Sequence, residues 1–171
     1  TFVRDLPSGG RVVDLSWRSS AEPHRSEVAD EIRRVRASRL GAARWLTAGK
    51  GEGRPVVVQV HGYLGGRHAI EERIMPVRFF LDRGVDVVLA VLPYHGPRAD
   101  DAARDPRKFF SGDPRITIEA LRQGVIDLRD LLTFLRSRGA THTGALGMSL
   151  GGYTSSLLGT VDPRVDFLVP L

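Results

Sequence analysis

The chain predicts an α/β domain in which a mostly parallel sheet carries helices on both faces. Three observations lead there. From Pro55 onward, apolar β-branched runs alternate with segments of helical periodicity. The runs at 56–60 and 85–92 are apolar almost throughout, as in strands buried on both faces. A helical segment separates successive runs, which is the crossover that parallel strands need.

The elements follow in chain order. The first 54 residues are less regular: Arg11 to Trp17 and Ala42 to Thr47 read as strands around a charged helix near Ser26 to Arg36, and Ala48 to Arg54 as a polar, glycine-rich turn. Val56 to Val60 is a strand. Ile70, Ile74, Val77 and Leu81 keep helical spacing, Pro76 must kink that helix or begin its second half, and Gly84 supplies a stop before the strand Val85 to Leu92. The longest helix runs from about Pro114 to Arg138, with Asp113 as N-cap and Pro114 in the first turn. Its apolar stripe is Ile118, Leu121, Val125, Leu128, Leu132 and Leu135, and Gly139 terminates it. Thr143 to Met148 is a strand, Leu150 to Thr160 a helix, and Val165 to Leu171 another buried strand. A single domain accounts for 1–171, with no internal repeat.

Composition narrows the function. Of 171 residues 42% are hydrophobic and 26% charged, which suits a globular domain with a sizeable core. The net charge is +5, but the arginines are dispersed among acids, as in Asp30-Glu31-Ile32-Arg33-Arg34, so no nucleic-acid partner is expected. Without cysteine there is no disulfide or thiolate metal site. No apolar run reaches the roughly 18–20 residues of a membrane span. The five histidines lack metal-ligand spacing, so no metal is assigned, and no cofactor is expected. The first residue is Thr1, which leaves a removed leader possible; localisation stays open with the cytoplasm favoured, and the oligomeric state is not legible.

Residues 144–152, Gly-Ala-Leu-Gly-Met-Ser-Leu-Gly-Gly, carry the most information. A serine between Gly147 and Gly151, after a short apolar strand and before a helix, fits the G-x-S-x-G turn that lifts a nucleophilic hydroxyl clear of a sheet. Such a turn needs neighbours without side chains. Strand Val56 to Val60 ends in His61-Gly62-Tyr63-Leu64-Gly65-Gly66, and the next strand in Leu92-Pro93-Tyr94-His95-Gly96.

In motif order and spacing, residues 55–171 resemble the α/β-hydrolase fold family, in which a His-Gly loop after the third strand precedes the nucleophile elbow. The resemblance implies a serine hydrolase of carboxylic esters or related acyl bonds, with Ser149 as nucleophile and the backbone N–H groups of Tyr63 and Leu150 as the oxyanion hole. A small-molecule acyl substrate would be its partner. His61 is expected to hold the loop and His95 to shape the pocket, while His24, His68 and His142 read as surface residues. A non-catalytic member of the fold, acting as a binding module, is the alternative.

The family's order is Ser, then Asp or Glu, then His. Asp162 and Asp166 follow Ser149, but no histidine does. The expectation is therefore a hydrolase domain truncated after its sixth strand, with the histidine elsewhere.

Overall fold

The computed structural model describes residues 1–51, 53–100 and 108–171. Among these, the strands are β1 (Phe2–Asp5), β2 (Arg11–Arg18), β3 (Leu40–Leu46), β4 (Val56–Val60), β5 (Asp86–Val91), β6 (Thr143–Gly147) and β7 (Phe167–Pro170). The α-helices are α1 (Ser26–Arg34), α2 (His68–Ile74), α3 (Val77–Leu81), α4 (Pro114–Ser137) and α5 (Leu150–Val161). The strands form one sheet in the order β1-β2-β3-β5-β4-β6-β7. β4 is parallel to β5 and β6, and β6 to β7, so every strand from Val56 onward lies in a parallel block. β1, β2 and β3 extend it antiparallel, making the sheet mixed.

Side-chain alternation along the strands gives the sheet two apolar faces. Val56, Val58 and Val60 join Val88, Ala90 and Ala145 against Leu128, Leu131, Leu132 and Leu135 of α4 and Leu158 of α5. Val57, Val87, Leu89 and Leu146 turn the other way, onto Met75 and Val77 around α2 and α3. This double burial explains why β4 and β5 lack polar alternation.

Pro76 divides the α2–α3 segment, and Gly84 ends it at φ +73°. The buried side differs from the predicted one. Val77 is buried as expected, but Ile70 and Ile74 are exposed, and Glu71 and Met75 are buried in their place. In α4 the Asp113 carboxylate caps Arg115 N–H at 2.9 Å, and Gly139 follows the helix at φ +86°. Its buried stripe is rotated from the expected one: Ile118 is exposed, and Glu119, Gln123 and Asp127 are buried. These polar groups face inward because they bind the N-terminal segment. Glu119 accepts from the backbone of His24 and Arg25, Gln123 donates to Ser38 O, and Asp127 accepts from Ser19 Oγ.

Two further corrections concern the sheet edges. β1 was not legible, being four exposed residues without alternation, held by Thr1 on Asp14 O and by the Arg4–Glu72 ion pair. β7 is exposed along its length rather than buried, because among the described residues only β6 pairs with it.

Candidate active site

The carboxyl ends of β4, β5 and β6 bring the motifs together. Ser149 follows β6 and immediately precedes α5, exposed, at φ +53° and ψ −113°. That conformation is strained for a residue with a side chain, by about 1–3 kcal/mol. Its surroundings enforce it. A Cβ on Gly147 would lie 2.2 Å from Gly151 O, and one on Gly151 would lie 2.1 Å from Val60 O. Ser149 N–H donates to Leu171 O, and Met148 N–H to Val60 O.

The His61–Gly66 loop packs beside this turn. A Cβ on Gly62 would sit 3.7 Å from Ser149 Cβ and 3.4 Å from Met148 O. Tyr63 and Leu150 therefore lie at the same end of the sheet as Ser149. As the first residue of α5, Leu150 has no intrahelical acceptor for its N–H, which points along the positive end of the helix dipole.

Both histidines flanking the loop are buried. His61 Nε2 accepts from Leu92 N–H at 3.1 Å, so Nδ1 carries the proton and donates to Gly62 O at 2.7 Å. That carbonyl shares its peptide with Tyr63 N–H. Burial, with His95 nearby, pushes His61 down to about 3, leaving it neutral. His95 packs against it with ring centroids 4.8 Å apart and the rings tilted by 55°, and burial holds it below the ordinary imidazole value. Glu71 Oε1 accepts from Gly66 N–H at 3.0 Å, and burial pushes its carboxyl above the usual range.

Other predicted groups lie elsewhere. His68 is mostly buried rather than on the surface, with Nδ1 3.8 Å from Asp14. Asp166 accepts from Thr143 N–H and pairs with Arg136, at the opposite end of β6 from Ser149. Asp162 is enclosed by Arg129 and Arg164. Among the described residues, no histidine hydrogen-bonds Ser149 Oγ, and no group of three His, Cys, Asp or Glu could hold a metal ion. No helix among them is long and apolar enough to cross a membrane. A cleft of about 480 Å³, lined by Trp45, Arg54 and Asp86, lies at the amino ends of β4 and β5, away from this site.

Sequence reasoning missed Glu71, Arg98 and Asp127. Arg98 is wholly buried, donating to Val91 O, Ser38 O and Asp127, and so fixes the segment after β5 to α4. A charged residue in an amphipathic segment carries no local mark of burial; the polar residues spaced four apart at Glu119, Gln123 and Asp127 were the one available signal.

No family model matches the chain. Over 114 residues, 65% of the chain, it is 33% identical to an uncharacterized protein of Mycobacterium tuberculosis, and the match spans 27% of that protein. A solved cold-adapted esterase from an Arctic intertidal metagenomic library superposes on 98% of the chain with a TM-score of 0.67 at 17% identity. The fold is that of the α/β hydrolases. An acetyl xylan esterase from Paenibacillus sp. R4 covers 99% of the chain (TM-score 0.67, 21% identity), and a dienelactone hydrolase from Klebsiella pneumoniae covers 93% (TM-score 0.55, 16% identity). The chain spans 62%, 51% and 59% of these three α/β-hydrolase-fold structures.

Proposed function

We propose that this chain carries the nucleophile and oxyanion hole of a serine hydrolase that cleaves carboxylic esters or related acyl bonds. The observation that carries the reading is Ser149, held in a strained turn with Gly62 of the His-Gly loop packed against it. Ser149 Oγ attacks the acyl carbon and gives up its proton to a general base. The carbonyl electron pair moves onto oxygen, and the resulting oxyanion accepts from the N–H groups of Tyr63 and Leu150. Each such donor is worth about 3–4 kcal/mol in a comparable hydrolase. Collapse expels the protonated alcohol and leaves an acyl-enzyme, which water then hydrolyses by the reverse path.

The base is a group other than His61 and His95. His61 is committed to Leu92 N–H and Gly62 O, and His95 to carbonyls of two loops. That same commitment favours one second reading, a non-catalytic binding module of the same fold.

A fluorophosphonate probe separates the two. In its longest natural form the protein is expected to be labelled on Ser149, identified by mass spectrometry, and its Ser149→Ala variant is not. The 171-residue chain alone is expected to react weakly, because a serine without a base is a poor nucleophile. No labelling of the long form would favour the binding module, and strong labelling of the short chain would place the base within it.

A further inference from the structure

The segment after β5 is built against the oxyanion loop more closely than either sequence required. A Cβ on Gly96 would fall 1.9 Å from Gly66 O, and one on Gly66 would fall 2.8 Å from His95 Cβ; both glycines have positive φ, +48° and +96°. The two loops therefore touch backbone to backbone. His95, with no exposed surface, reaches across this contact and places Nε2 2.8 Å from Tyr63 O. Behind it, the Arg98–Asp127 ion pair ties the same segment to α4.

We propose that His95 is a positioning residue for the oxyanion hole, holding the Tyr63–Leu64 peptide through an Nε2–H···O=C hydrogen bond while His61 holds the preceding Gly62–Tyr63 peptide. The inference rests on the serine-hydrolase reading. Two adjacent peptides are each gripped by a different buried imidazole, so the Tyr63 N–H, which belongs to the first of them, has a fixed direction before substrate arrives. His95 Nδ1 lies 2.7 Å from Pro93 O, and the two carbonyls compete for the single proton of a neutral ring. The inter-loop acceptor Tyr63 O is the one that makes the ring part of the site, and it requires the proton on Nε2.

The His95→Asn and His95→Gln pair tests this, because the Asn amide nitrogen stands near the imidazole Nδ1 and the Gln amide nitrogen near Nε2. With p-nitrophenyl acetate and the protein in its longest natural form, His95→Asn is expected to lower kcat about tenfold with KM changed less than about twofold, as misplacement of a single group can do. His95→Gln is expected to recover most of that loss. Equal activity of the two variants, or an undiminished His95→Asn, would overturn the proposal. Long-range ¹H–¹⁵N spectra of the wild-type imidazoles give a readout independent of turnover. They should show His95 protonated on Nε2 at neutral pH, and protonation on Nδ1 alone would overturn the proposal even in folded, active protein. A wild-type protein that hydrolyses no ester would refute the hydrolase reading, and the spectra would still decide the Tyr63 contact.

Discussion

At Ser149 the backbone does what its side chain's stability would oppose. Its φ of +53° suits glycine, so Ser149→Gly is expected to stabilise the fold by about 1 kcal/mol, the released strain exceeding the entropy that glycine adds to the unfolded chain. A denaturant titration measures it, and a destabilised variant would mean that the turn is unstrained. Gly151→Val is expected to do the reverse. Its Cβ would meet Val60 O at 2.1 Å, a backbone atom that cannot step aside, so a loss of about 3 kcal/mol or more is expected, read as a lower Tm. The glycine-flanked turn at Ser149 was legible in the sequence because a local conformational demand selects local residue types. The brace on the His61–Gly66 loop was only partly so: His61 stands next to the glycine it holds, while Glu71, His95 and Arg98 find their partners through tertiary contact.

Among the elements, α4 shows where periodicity falls short. Its length, cap and stop were readable from Asp113, Pro114 and Gly139, but its buried stripe was not, since Glu119, Gln123 and Asp127 turn inward to partners far away in sequence. Asp127 is the most consequential of them. Asp127→Ala would leave the Arg98 guanidinium buried without its carboxylate, with an expected cost of about 3–5 kcal/mol in chemical denaturation. At the end of α5, hydrogen bonds from Arg164 hold the Asp162 carboxyl well below the usual carboxylate range, against its burial, with Arg129 adding to them. A depressed folded pKa contributes stability above the unfolded value of 3.8 and loses it as pH falls through the folded value. The stability gap between wild type and Asp162→Asn is therefore expected to be full at pH 7 and to narrow below about pH 3.8.

For the whole molecule, histidines wholly or partly withdrawn from solvent set the acid response. His61, His68 and His95 are all held below the ordinary 6.5, chiefly by burial. Below that pH the unfolded chain takes up protons that the native state refuses, so stability is expected to fall between about pH 6.5 and 4.5. Glu71, with its raised pKa, works the other way in this window, one group against three. A flat stability profile there would contradict the lowered pKa values of these rings. The global architecture was legible from Val56 onward, where each strand is buried on both faces; the antiparallel edge was not, because β1 has no buried side to impose a pattern. What the α/β-hydrolase fold achieves is to bring loops nearly ninety residues apart, at Gly62 and Ser149, into contact at one end of the sheet.

The central claim is that this contact forms an acyl-transfer site, and a crystal structure of the protein's phosphonate adduct tests it most directly. The account predicts phosphorus bonded to Ser149 Oγ and the phosphonyl oxygen within about 3 Å of the backbone nitrogens of both Tyr63 and Leu150. An adduct on another residue, or a phosphonyl oxygen turned away from those two amides, would contradict it.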